Sequence, residues 1–167
     1  MVDYVHCKKE GFMVTASIPG WGELELSYLL VDFNGTIAFN GQLKKGVREL
    51  LDEVSKHMKV YVVTADTYDS IDKEAAANFT VVKTGKLTSG IDKAELVRQL
   101  GPEQSAAIGN GANDAMMLRE AALGIAVIGE EGCAASVLKE ADIVTANIVN
   151  ALELVLHPER LVASLRE

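Results

Sequence analysis

Cysteine, proline, tryptophan and positive charge are all scarce in this sequence, and so are long apolar runs. The 167 residues include two cysteines, three prolines and one tryptophan, and no nearly unbroken apolar run is longer than the eight residues of 121–128. A bilayer span needs roughly 18 or more such residues, so the chain reads as soluble and without a membrane partner. Cys7 and Cys133 lie far apart with no other thiol near either, which excludes a disulfide framework and a thiol-rich zinc site. No charged-then-apolar leader is visible, and the two thiols read as reduced and cytoplasmic. His6, His57 and His157 are scattered, and His6 beside Cys7 makes at most a weak metal site. Lysine and arginine number 16 against 24 aspartates and glutamates, a net charge of -8 that repels polyanions, and no basic patch is visible; nucleic acid is excluded as a partner. With no repeat, low-complexity tract or Pro/Ser-rich linker to divide it, the chain is expected to form one domain over residues 1–167.

At 49% hydrophobic and 24% charged, the composition supports a packed core. Two extended runs, 12–18 and 24–31, flank the turn-forming Pro19-Gly20-Trp21-Gly22, so residues 1–27 read as a hairpin extension on a core of 28–167. Short β-branched runs then alternate with helical stretches, at 61–63, 80–82, 106–108, 125–128 and 143–144. Val47, Leu50, Leu51 and Val54 repeat at i, i+3, i+4 and i+7, and Ile148, Leu152, Val155 and Leu156 form a similar stripe. The expected fold is α/β: a doubly wound, mainly parallel sheet with helices on both faces and a ligand site beyond the carboxyl ends of its strands.

Those strand ends carry the polar residues of interest. Tyr28-Leu29-Leu30-Val31 runs into Asp32-Phe33-Asn34-Gly35-Thr36, a carboxylate directly after four apolar residues and before an Asn-Gly turn. An aspartate there either caps the turn through its side chain or binds something. The next strand ends in Thr64-Ala65-Asp66, where a helix N-cap would also be ordinary. Lys93 is read in the first turn of the helix carrying Leu96, Val97 and Leu100, where a cation opposes the helix dipole unless it has a partner or simply faces solvent. Ala106-Ala107-Ile108 breaks into Gly109-Asn110-Gly111-Ala112-Asn113-Asp114, a glycine-rich helix start that suits anions or metal ligands but lacks the spaced dinucleotide-binding pattern.

Taken together, Asp32 to Thr36, then Thr64, then Lys93, then the 109–114 loop, this ordered set resembles the four motifs of the haloacid dehalogenase superfamily. The resemblance runs from about Tyr28 to the C-terminus and is greatest to capless members similar to the soluble phosphorylation domains of P-type ATPases. It implies a Rossmann-like core and phosphoryl transfer, a reaction in which the protein mainly positions groups and neutralises charge. On that resemblance Asp32 is the nucleophile that becomes an aspartyl phosphate. Gly35, Thr64, Ala65 and Lys93 hold the phosphate, and Mg²⁺ is held by Asp32, the Asn34 carbonyl, Asn110 and Asp114.

Two departures qualify the expectation. Phosphatases of this kind usually carry an acid–base Asp two residues after the nucleophile, where this chain has Asn34; general acid–base help is worth roughly 10²–10⁴-fold, so slow turnover is expected. Asn110 likewise replaces a charged metal ligand with a neutral one. Only 31 residues separate Asp32 from Thr64, too few for a cap domain after the first motif. An open site suits a large substrate or coverage by a second copy, and Trp21 on the hairpin is either a contact surface for such an oligomer or packed on its own domain. The leading reading is a Mg²⁺-dependent phosphohydrolase acting on a phosphorylated substrate. The alternatives are a phosphoacceptor or regulatory protein with a receiver-like site, and a degenerate scaffold.

Overall fold

The structure is a computed structural model that describes residues 12–65 and 78–167. His6, Cys7 and the stretch after Ala65, where an N-cap was expected, lie outside the described residues. β1 (Val14–Ile18) and β2 (Gly22–Leu26) form the antiparallel hairpin, with Val14 opposite Leu26 and Ile18 opposite Gly22. Alternation places Val14, Ala16, Ile18, Leu24 and Leu26 on one buried face, while Trp21 stays partly exposed in the turn.

The second apolar run is not one strand, as 24–31 had suggested. It breaks at Ser27, whose N–H donates to the Gln104 carbonyl and whose carbonyl accepts from Lys59 N–H, both at 2.9 Å. Beyond that break β3 (Tyr28–Asp32) enters a different sheet. The change in pattern explains the break: alternation serves a hairpin with one wet face, whereas the consecutive buried Leu29, Leu30 and Val31 suit a strand covered on both faces.

A small flap follows, β4 (Ala38–Phe39) paired with β5 (Gln42–Leu43), and then α1 (Val47–Ser55). α1 starts at Val47 because Gly46, at φ +80°, turns the chain just before it, and it holds the whole stripe Val47, Leu50, Leu51 and Val54. The remaining elements are β6 (Lys59–Thr64), β7 (Thr80–Lys83), α2 (Ser89–Leu100), β8 (Ser105–Gly109), α3 (Ala115–Glu120), β9 (Leu123–Val127), α4 (Ala135–Glu140), β10 (Ile143–Thr145), α5 (Ile148–Leu156) and α6 (Pro158–Leu165).

The six-stranded sheet is parallel throughout, in the order β10-β9-β8-β3-β6-β7. On one face the hairpin, α1, α5 and α6 cover Leu29, Val31, Val62 and Ile108. On the other, α2, α3 and α4 cover Leu30, Ala107 and Ala126 with Val97, Met117, Leu118 and Val137. This is the doubly wound, Rossmann-like architecture expected, and its strand order reverses between β3 and β8, where such sheets open a crevice at their carboxyl ends. Between Asp32 and Thr64 the chain builds only the flap, α1 and β6. Among the described residues no helix is long and apolar enough to cross a membrane.

Candidate active site

Asp32 ends β3 on one side of the crevice, and Gly109 ends β8 on the other. After Asp32 the chain closes a tight turn, with Ala38 N–H donating to Phe33 O and Gly35 N–H to Ala38 O, each at 2.9 Å. Gly35 has φ +78°, and a Cβ on it would lie 2.5 Å from Glu131 Oε2 and 2.8 Å from Asn110 Nδ2. Only glycine fits that turn and that contact. Gly109 answers a different need, since a Cβ there would stand 2.5 Å from Asp114 Cγ; its absence lets Asp114 fold back over the loop.

Three charges meet beneath the crevice. Lys93 Nζ donates to Asp32 Oδ1 and to Asp114 Oδ1, both at 2.6 Å, with Lys93 only 1% exposed and Asp114 fully buried. Lys93 stands in the second turn of α2 rather than the first, because the helix already begins at Ser89. Solvent is not its partner; the two carboxylates are. The other oxygen of Asp114 accepts from the backbone N–H groups of Asn110 and Gly111 at 3.0 and 2.9 Å, pinning the glycine-rich loop. Asp32 Oδ2 accepts from Thr36 Oγ1 at 3.1 Å, and the same hydroxyl lies 3.1 Å from Asn110 Oδ1.

Burial, then the nearby Asp114 carboxylate, push the Asp32 carboxyl up to about 7 against the pull of Lys93. Burial also works against the charge on Lys93, but Asp32 and Asp114 together hold its pKa above the ordinary lysine value. Two carboxylates and one ammonium leave the cluster short of positive charge.

Above this floor is an open cavity of about 600 Å³, lined on one side by Asp32, Asn34 and Ala65 and on the other by Asn110, Asn113, Glu131 and Cys133. Among the described residues that line it there is no lysine, arginine or histidine. Asn34, Ala65 and Asn110 therefore reach the cavity as the sequence suggested. Thr64, buried at the end of β6, sits behind Asn34, whose Nδ2 donates to its Oγ1 at 3.5 Å. Gly35, Lys93 and Asp114 are brought to the same site but not onto the cavity surface.

Thr36, Asn113 and Glu131 also stand at the site, without having been assigned a role from the sequence. Asn113 lies inside a motif already singled out, and it donates to Ser89 Oγ at 3.2 Å. Glu131 follows the end of β9, so the strand-end rule that found Asp32 extends to it. Cys133 is a free thiol whose pKa burial and Asp114 raise, which makes it a poor nucleophile.

The donors present suit a hard divalent cation. Asp32 supplies an incompletely neutralised carboxylate, and Asn110 Oδ1 and the Asn34 backbone are neutral oxygens; Mg²⁺ is commonly held by one or two carboxylates with waters and substrate oxygens completing the set. Among the described residues no group of three or more His, Cys, Asp or Glu side chains is placed to hold a metal, so the neutral amides matter. Asp114, given to the metal in the sequence reading, has both oxygens engaged by Lys93 and the loop amides.

Comparison with known proteins places the chain in a family and a fold. Over 73 residues the chain is 42% identical to an uncharacterized protein of Methanocaldococcus jannaschii, which covers 44% of this chain and 78% of that protein. The fold is similar to that of 3-deoxy-D-manno-octulosonate 8-phosphate phosphatase from Moraxella catarrhalis, solved with magnesium and phosphate ions. The TM-score is 0.62 at 17% identity, covering 83% of this chain and 90% of that one. The cobalt-bound deoxy-D-mannose-octulosonate 8-phosphate phosphatase from Haemophilus influenzae gives 0.59 at 16%, covering 83% and 91%. At such identities the likeness is one of fold, but residues 6–122 also match the sequence profile of a hydrolase family, and by that match the chain belongs to the haloacid dehalogenase-like hydrolases.

Proposed function

We propose that the protein is a divalent-cation-dependent phosphohydrolase, with Mg²⁺ as the cation, that works through an aspartyl phosphate on Asp32. The observation that carries this reading is the placement of Asp32, buried at the switch point, held by Lys93 from below and open to the cavity above. A buried carboxylate that is fixed by hydrogen bonds and faces a pocket is oriented for attack on phosphorus. Lys93 and Thr36 keep it in place, and Lys93 also offsets charge as the phosphoryl group arrives. The cation, when bound by Asp32, the Asn34 carbonyl and Asn110, supplies the positive charge that the cavity lining lacks. Ala65 borders the phosphoryl position on the cavity wall, and Thr64 and Gly35 stand just behind that wall. Asp114 acts one layer below by anchoring Lys93 and the Asn110 loop.

In this reading phosphate leaves Asp32 slowly, because Asn34 does not relay protons as an Asp would. The fold shared with phosphatases solved with magnesium, phosphate or cobalt supports both the reaction class and the cation. The molecule works in the cytoplasm with reduced thiols, and the open mouth is covered by a large substrate or a second copy.

The test is Mg²⁺-dependent hydrolysis of p-nitrophenyl phosphate and acetyl phosphate by wild type, Asp32→Asn and Asn34→Asp. Wild type turns over slowly and forms an acid-stable phosphoprotein, Asp32→Asn does neither, and Asn34→Asp releases phosphate about 10²-fold faster or more. Equal inertness of wild type and Asp32→Asn on both substrates, without phosphoprotein, sinks the catalytic reading. The exposed amide at Asn34 also favours a second reading, the receiver-like phosphoacceptor: phosphoprotein would then accumulate from acetyl phosphate with negligible release.

A further inference from the structure

The cavity mouth contains one carboxylate that the proposed chemistry does not use. After β9 the chain makes a turn, Gly129-Glu130-Glu131-Gly132, bracketed by glycines at φ +55° and +77°. This turn is fastened on several sides. Gly132 N–H donates to Gly129 O, Gly129 N–H to Ala146 O, and Asn110 Nδ2 to Gly132 O at 3.1 Å. Lys44 Nζ bridges Glu130, at 2.7 Å, to the Gly35 carbonyl, at 3.3 Å, and so ties the turn to the loop that carries Asp32.

The two glutamates therefore have different fates. Glu130 is neutralised by Lys44. Glu131 has no hydrogen bond or ion pair among the described residues, and its carboxylate is laid over Gly35 beside the Asn110 amide, on the cavity wall. Lys93, the cation at the floor, is already held between Asp32 and Asp114 beneath the cavity, and the described lining contains no basic residue. An unpaired carboxylate on a fixed turn leaves the outer half of the cavity negative. A phosphomonoester entering with its phosphoryl group toward Asp32 presents its leaving group to that wall.

We propose that Glu131 is the specificity-determining residue of the cavity, favouring phosphomonoesters whose leaving group carries a protonated amine over those whose leaving group carries a carboxylate. This rests on the phosphohydrolase reading and names the substrate class of the same site. At contact distance in a water-exposed mouth, a carboxylate changes affinity by roughly fivefold in opposite directions for a cation and an anion, which separates the two leaving groups by about tenfold or more.

The experiment compares kcat/KM for phosphoethanolamine, glycerol 3-phosphate and 3-phosphoglycerate, whose leaving groups are cationic, neutral and anionic. Wild type follows that order, with phosphoethanolamine ahead of 3-phosphoglycerate by about tenfold or more, a gap that narrows in high salt. Glu131→Gln brings the ratio near one, Glu131→Lys inverts it, and Glu131→Asp keeps its sign. A wild-type ratio at or below one, or a ratio unmoved by both Glu131→Gln and Glu131→Lys, overturns the inference while leaving phosphohydrolysis intact. Magnesium affinity measured by calorimetry stays within about twofold in Glu131→Gln; a tenfold loss makes Glu131 a cation ligand instead and also overturns it. If Asp32→Asn hydrolyses all three esters as well as wild type, the parent reading fails and this one with it.

Discussion

The floor and the mouth of the cavity handle polarity in opposite ways. At the floor, Asp32, Lys93 and Asp114 are buried ionisable groups locked by 2.6 Å contacts, with the remaining oxygens of Asp114 and Asp32 taken by backbone amides and Thr36. At the mouth, Asn34, Asn110 and Asn113 are neutral, and the lining carboxylate of Glu131 has no partner among the described residues. Fixed charge below makes the floor stiff and gives Asp32 one orientation. Neutral amides above leave the cavity wall without fixed positive charge; on the proposed function, that is where a cation and a substrate would enter, with weaker metal affinity and poorer proton transfer than a carboxylate would give.

The comparison breaks most completely if the floor loses its cation. Lys93→Met leaves two buried carboxylates unpaired, and removing one partner of a buried pair costs about 3–5 kcal/mol; urea unfolding at pH 7.5 is the measurement. Adding Asp114→Asn to that variant should recover part of the loss, because only one buried charge then remains, though at the expense of an acceptor for the loop amides.

The next effect is on pH dependence. Asp32 titrates near 7 in the fold instead of at its usual 3.8, so the folded state holds a proton that the unfolded chain releases. Its contribution to stability is therefore full below about pH 4 and fades as pH rises toward 7, by on the order of a few kcal/mol in cation-free protein. The raised Lys93 stays charged in both states across that window and does not reverse the trend. Unfolding midpoints at pH 4.5, 6 and 7.5 should fall in that order. Asp32→Asn should flatten the slope, and its persistence in that variant would place the titrating group elsewhere.

Restoring charge at the mouth is a gentler change. Asn110→Asp should tighten Mg²⁺ about tenfold by calorimetry, while losing the Nδ2 donor to Gly132 O and roughly 1 kcal/mol of stability with it. Smallest of all, Lys44→Met removes the pair with the largely solvated Glu130 and the 3.3 Å bond to Gly35 O, so the urea midpoint should move less than in any variant above.

Much of this was legible in the sequence because three of the four motifs stand at strand ends. Apolar runs that stop at Asp32, Thr64 and Gly109 announce the sheet edge, and their order gives the crevice. The flap was illegible, since β4 and β5 have two residues each and no pattern that short rises above its surroundings. Lys93 was found but set one turn too early, because Ser89 and Gly90 do not advertise a helix start. Asp114 shows what linear reading omits: its position in the motif was clear, yet only the fold reveals that Lys93 and two backbone amides occupy it. Glu131 is harder still. An exposed glutamate between glycines looks like any solvent-facing turn until the chain brings it onto Gly35.

Trp21 has a practical consequence. It is the sole indole in the chain, set in the hairpin turn where the C-terminal Glu167 N–H bonds to Pro19 O, and it takes no part in lining the cavity. Its emission is thus a built-in optical gauge of whether the first strands remain clasped to the chain's end. Titrating magnesium or phosphate should leave that signal quiet, while undocking of the hairpin should shift it to the red, so one spectrum can separate loosening of the frame from events in the cavity.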